Sequence, residues 1–306
     1  MSIPFSSRPR VLDIDGSVAR QSDFVRQSGA SIQGLESWGP RLRYICRRQT
    51  RQSFERRLNG TDSHRLTFYG SGDFHHLTLS LLKFHWQPLS VVVFDQHPDW
   101  DVTSPWPCCG TWVNEALMLP QVERVIVIGA GREDLGGIQL WRGNRAALSS
   151  GRLEIFPATL SKSVWPGARH AMACGMRANG RMKWQTVQRL GMRELLDDVI
   201  ARLPTKRVYV SVDKDCLTSA FAASNWDAGE LSLTQVCEGI RQLREKCQLV
   251  GGDVTGEWSS PRIQSRIVAA ISRADHPRKL PLTSNELREN ERTNLALWQA
   301  FGGELL

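Results

Sequence analysis

The chain has 306 residues and a formal net charge of +8, with 41% apolar and 23% charged residues. That balance is ordinary for a soluble globular protein with a substantial core, and no run reaches the ~18 apolar residues that a membrane span needs. The basic residues are spread out, as in 41–51 and 177–193, and no nucleic-acid motif accompanies them, so neither a nucleic-acid nor a membrane partner is expected. The opening MSIPFSSRPRVLDIDGS has no apolar signal core and carries Asp13 and Asp15, which makes a cytoplasmic location the expectation. Seven scattered cysteines without CxxC pairs fit reduced thiols.

In chain order, residues 1–60 are Arg- and Ser-rich and read as an N-terminal elaboration. Within them, Val11-Leu-Asp-Ile-Asp-Gly-Ser17 resembles the DxDG(T/S) motif of haloacid-dehalogenase-like enzymes. Only Val11 and Leu12 precede it where that family has a long buried strand, so this reading is set aside. Strands are predicted at Leu66–Tyr69, Leu89–Phe94, Arg124–Gly129, Leu153–Phe156, Arg207–Val212 and Leu249–Asp253. The run Ser90-Val-Val-Val-Phe94 is apolar throughout, as expected of a strand buried on both faces of a parallel sheet. Between the strands, Met192, Leu195, Leu196, Val199, Ile200 and Leu203 trace a helical stripe. Ser232-x-x-Gln235 and Thr283-x-x-Glu286 are capping boxes that open two further helices. Strands alternating with helices, and no break in composition, predict a single α/β domain over 1–306 with a mostly parallel central sheet flanked by helices.

Four polar motifs each sit where an apolar strand ends: Gly70-Ser-Gly-Asp-Phe-His-His76, Asp95-Gln-His-Pro-Asp99, Ser211-Val-Asp-Lys-Asp215 (within and after its strand) and Gly251-Gly-Asp-Val-Thr-Gly-Glu257. In a parallel sheet the strand C-termini share one edge, where ligand crevices form, so motifs distant in sequence converge there. Spacing of i, i+2 in extended backbone puts Asp95, His97 and Asp99 together, and Asp213 with Asp215. So many carboxylates would not all ionise unless cations joined them. Four carboxylates and two imidazoles without a thiolate suit a pair of divalent ions, Mn²⁺ first and Fe²⁺, Co²⁺, Ni²⁺ or catalytic Zn²⁺ next. The predicted ligands are His75, Asp95, His97, Asp99, Asp213 and Asp215.

The order and approximate spacing of these motifs, from about Phe68 to Glu257, resemble those of the ureohydrolases, the arginase and agmatinase family. The resemblance implies the three-layer arginase-like α/β fold and two Mn²⁺ bridged by Asp95 and Asp213. His75 and Asp99 would complete one ion, His97 and Asp215 the other. With Phe74 as an apparent insertion, His76 stands as an alternative to His75. The implied reaction cleaves a C–N bond of a small cationic guanidino or amidino compound and releases urea or ammonia. Asp215 would relay the proton and Glu257 would bind the guanidinium. The family's trimers or hexamers are implied as well. Trp226 and Asp227, in the loop ahead of the Ser232 helix, are further substrate-contact candidates.

The chain departs from the family in places. Cys109, in Cys108-Cys-Gly-Thr111, stands where the family carries a proton-shuttling histidine, which bears on the substrate. Lys214 lies between two ligand aspartates and by alternation points away from the metals, towards a salt bridge. Two rivals keep the fold. One is a metal-dependent amide hydrolase of the deacetylase type, with His75–His76 as its imidazole pair. The other is a non-catalytic metal-binding relative.

Overall fold

The computed structural model describes residues 6–58, 65–137, 139–276 and 280–304. Eight strands form one sheet: β1 Ser6–Asp13, β2 Ser31–Gly34, β3 Arg65–Tyr69, β4 Leu89–Phe94, β5 Val122–Ala130, β6 Leu153–Pro157, β11 Arg207–Asp213 and β12 Gln248–Thr255. Their order is β2-β1-β3-β12-β11-β4-β5-β6, and every neighbouring pair is parallel. All six predicted strands are present. β4 is buried at every position, as its unbroken apolar run requires of a strand covered on both faces. The architecture is the α/β fold anticipated from the alternation of strands and helices.

The stretch read as an N-terminal elaboration supplies β1 and β2, and β1 lies inside the sheet against β3. Residues 1–5 and 59–60 of that stretch lie outside the described residues. β1 is short of alternating or unbroken apolar residues because Arg10 is buried within it, its guanidinium donating to Thr67 Oγ1 at 3.2 Å. A second, antiparallel sheet between β6 and the following helices was not anticipated. It comprises β7 Lys162–Val164, β8 His170–Met172, β9 Gly175–Ala178 and β10 Arg181–Trp184, in the order β7-β10-β9-β8. These strands are too short and too polar for periodicity to mark them.

The helix Met192–Arg202 buries the predicted stripe, and Leu233–Lys246 and Ser284–Ala300 open on the two predicted capping boxes. Among the described residues no helix is long and apolar enough to cross a membrane. The seven cysteines are free thiols. The four polar motifs all lie at the C-terminal ends of β3, β4, β11 and β12, the four central strands of the sheet: the first two just beyond β3 and β4, the last two running through the ends of β11 and β12.

Candidate metal centre

His75 stands on a 3-10 turn, Gly72–Leu77, directly after β3, and the turn is capped by Ser71, whose Oγ accepts from the Asp73 N–H. Gly72 is required there by close approach, because a Cβ would lie 2.7 Å from Asp213 Oδ2. Asp95 follows β4, and its Oδ1 accepts from the His97 N–H at 2.7 Å, which folds the segment back on itself. Asp99 adopts a left-handed conformation, φ 48°, that aspartate tolerates better than most residues. Asp213 ends β11 and its Oδ1 caps a second 3-10 turn by accepting from the Asp215 N–H at 3.0 Å.

These side chains meet. His75 Nδ1 lies 3.0 Å from Asp95 Oδ2, 3.2 Å from Asp99 Oδ2 and 3.5 Å from Asp213 Oδ2. His97 Nδ1 lies 3.0 Å from Asp215 Oδ2 and 3.9 Å from Asp95 Oδ1. Two ligand-like triads result, His75–Asp95–Asp99 and Asp95–His97–Asp215, sharing Asp95. His76, the alternative histidine, is turned away from this cluster, with Nε2 3.4 Å from Cys46 Sγ, and burial pushes its pKa down to about 3.

The donor set fits a pair of cations. His75 Nδ1 and Asp95 Oδ2 are buried and make no hydrogen bond, although they face several polar atoms. Behind the ring, His75 Nε2 lies 2.9 Å from Ser211 Oγ, whose hydroxyl donates to Asp253 Oδ1 at 2.7 Å. That chain holds the proton on Nε2 and leaves the Nδ1 lone pair facing the carboxylates, as a ligating imidazole needs. Tyr69, Thr78 and Tyr209 hydroxyls fix Asp253 in turn. Burial, then the Asp99 and Asp215 charges, push Asp95 well above the usual carboxylate range. Burial and the Asp215 charge push Asp213 up to about 7. Both histidines rise despite burial, through Asp95 and Asp99 at His75 and through Asp215 at His97. Left to themselves, these groups would share protons; divalent ions would replace them.

A cavity of about 700 Å³ opens beside Asp215, walled by Ala222, Ala223, Ser224, Trp226, Asp227 and Glu286 among others. Trp226 packs edge-on against His97, ring centres 5.4 Å apart, and Asp227 is exposed at the rim. Asp134, in the loop after β5, stands 4.0 Å from His97 Nε2 and was not singled out in the sequence, where no motif marks it. Cys109 is buried and its N–H donates to the Tyr44 carbonyl; it is not among the residues walling this cavity. Burial and the neighbouring Cys108 and Asp99 push its thiol well above its ordinary range, so it does not supply a base at neutral pH.

Glu257 is placed elsewhere than the sequence suggested. Its carboxylate is 2% exposed and accepts from Lys214, Gln21, Asn290 and Asn294, so it does not face the crevice as a free guanidinium-binding group. Lys214 makes the salt bridge that alternation predicted. A further buried pair was missed. Asp73, within the first motif, accepts from Arg43 Nε at 2.6 Å and lies 2.7 Å from His276 Nε2. Its partners are 30 and 203 residues away, beyond any local pattern.

The model of the arginase family matches residues 161–270. An uncharacterized protein from Thermotoga maritima is 24% identical over 241 residues, 79% of this chain and 69% of that one. Among solved structures, the arginase from Bacillus cereus superposes with a TM-score of 0.58 at 15% identity, over 97% of this chain and 99% of that chain. A structure described as a hypothetical agmatinase from Burkholderia thailandensis gives a TM-score of 0.48 at 21% identity, over 82% of this chain and 64% of that one. The family match and the arginase-like fold are consistent with a divergent member of the ureohydrolase family, and the resemblance carried by the sequence motifs stands.

Proposed function

We propose that the protein is a hydrolase that uses two divalent ions, assigned as manganese, to cleave a C–N bond and release urea or ammonia. His75, Asp95, His97, Asp99, Asp213 and Asp215 would hold the ions, and Asp95 would serve both. When bound, such a pair supplies Lewis acidity and lowers the pKa of water to near neutrality. Asp215 is the residue suited to move the proton, because its carboxylate borders both His97 and the cavity. Trp226 would cover one side of the bound substrate and Asp227 would meet a cationic group at the rim. The cytoplasmic location and the trimer or hexamer belong to the same reading.

The observation that carries the proposal is the pair of buried atoms without hydrogen bonds, His75 Nδ1 and Asp95 Oδ2, inside a ring of carboxylates. Within the C–N class, the guanidino or amidino substrate follows from the family motifs. Amide hydrolysis on the same fold is the second reading, favoured by the occupied state of Glu257. The test is a crystal of the manganese-soaked protein measured at the manganese absorption edge, together with turnover of guanidino, amidino and amide compounds scored for urea, ammonia or amine. Two anomalous peaks among the six side chains and one turned-over class are expected. Two peaks with no turnover of any compound would turn the reading towards a non-catalytic relative.

A further inference from the structure

This inference rests on the two-ion reading and concerns how His75 is presented to the carboxylates. The turn Gly72–Leu77 carries two adjacent histidines, and a slip of one residue would offer His76 in place of His75. Phe74, the apparent insertion, stands directly before them, so the motif alone does not fix which ring faces the crevice.

Residues 43–46 hold the turn at four points. Arg43 Nε donates to Asp73 Oδ2 at 2.6 Å, and the Tyr44 N–H donates to the Asp73 carbonyl at 3.0 Å. The guanidinium carbon of Arg43 lies 5.5 Å from the centre of the Phe74 ring. Cys46 Sγ meets His76 Nε2 at 3.4 Å. Asp73, Phe74 and His76 are thus each engaged by this one segment, and His75 is the ring left to face Asp95, Asp99 and Asp213.

Arg43 also reaches beyond the turn. It is 1% exposed, and its Nη1 donates to Ser259 Oγ at 2.8 Å and to the Ser260 carbonyl at 3.2 Å. Its Nη2 donates to the Ser259 carbonyl at 3.1 Å and to Asn225 Oδ1 at 3.2 Å. Every N–H of the guanidinium fork therefore has an acceptor, a geometry that a lysine ammonium cannot reproduce. Asn225 precedes Trp226, and its Oδ1 also accepts at 2.9 Å from Ser71 Oγ, the cap of the ligand turn. Despite burial, Arg43 and His276 hold the Asp73 carboxyl below the usual carboxylate range, so the buried cation keeps a charged partner.

We propose that Arg43 is a positioning residue of the metal centre, fixing the register that presents His75 and aligning the loop of Trp226 with it. It is not among the residues walling the cavity, and it acts through Asp73 and Asn225.

Calorimetric titration with manganese separates this role from general support of the fold, because only one of the two ions would use His75. The parent should take up two ions. Arg43→Met should weaken one of them by about tenfold or more and leave the other within about threefold, the anomalous peak that fades being the one beside His75. Arg43→Lys keeps a cation beside Asp73 and should return that ion to within about threefold of the parent. Equal weakening of both ions, no weakening, or a lysine variant no better than the methionine one would overturn the proposal.

Hydrogen exchange of the metal-free protein reads the two arms of the guanidinium apart. In Arg43→Lys, the amides of 224–228 should exchange about tenfold faster while those of 72–77 keep their parent rates; in Arg43→Met both segments should speed up. Parent rates at 224–228 in Arg43→Lys would also overturn the proposal. Should the methionine variant fail to fold, the lysine variant decides alone: a loosened 224–228 with both ions kept supports the role, and loss of the ion at His75 overturns it. A parent that takes up no manganese would defeat the two-ion reading instead, and the exchange rates would still decide on the clamp.

Discussion

Two polar clusters meet on opposite sides of one short turn, Asp213 to Asp215, and they differ in how their charges balance. On the crevice side, carboxylates outnumber imidazoles, and His75 Nδ1 and Asp95 Oδ2 are left without hydrogen bonds. On the other side, one carboxylate meets one ammonium and three amides, and each oxygen of Glu257 has a donor. The first cluster is complete only with added cations; the second is complete already. Buried charge by itself therefore says little about where a ligand goes. An imbalance among buried charges says much more.

The largest effect should come from breaking the closed cluster. Lys214→Met leaves Glu257 buried and unpaired, at a cost of about 3–5 kcal/mol, read as a lower urea midpoint. Added manganese should stabilise parent and variant alike and leave the difference between them, since the lysine holds no ion; a difference that vanishes with metal bound would show that the two clusters are one. The open cluster should respond in the opposite sense. Asp213 titrates near 7 when folded and near 3.8 when unfolded, so the metal-free fold loses stability as pH rises from 3.8 to 7. Asp213→Asn removes that loss and should stabilise the metal-free protein by on the order of 2 kcal/mol at about pH 8, with the difference fading below about pH 4. The same variant should bind manganese weakly. A metal-free variant less stable than its parent at high pH would contradict the imbalance.

Smaller changes sharpen the contrast. Ser211→Ala takes the partner from His75 Nε2, and manganese affinity should fall by about tenfold with little change in melting. Asp134→Asn acts on His97 from 4.0 Å through partly exposed side chains, so its effect on manganese binding should stay below about 1 kcal/mol. An effect as large as that of Ser211→Ala would promote Asp134 to a ligand.

The crevice was legible in the sequence because its residues come in short motifs at strand ends, which a parallel sheet gathers on one edge; the turns after β4 and β11, and not the extended i, i+2 spacing expected of them, then bring the side chains together. Its supports were not. Ser211 reaches Asp253 across 42 residues and Lys214 reaches Glu257 across 43, and no local period records such pairings. Glu257 shows how one position decides the outcome. Alternation along the outgoing chain sends 256 towards the ligands and 257 away, so motif order alone aligned the right neighbourhood with the wrong face. β1 escaped notice for a related reason: a buried Arg10 interrupts the apolar run by which its strand would have been recognised.

The place of β12 in the sheet has a consequence for how the molecule comes into being. It lies between β3 and β11, yet it is the last strand of the sheet to be synthesised. Until residues 248–255 emerge from the ribosome, β2-β1-β3 and β11-β4-β5-β6 are half-sheets with open inner edges. His75 then belongs to one half and Asp95, His97, Asp99, Asp213 and Asp215 to the other. Closure needs pairings that span up to about 190 residues, such as Leu66 with Gly252, and contacts of that range make folding slow. The six side chains can thus first meet only late in synthesis, when the final strand slides between the halves and seals the sheet.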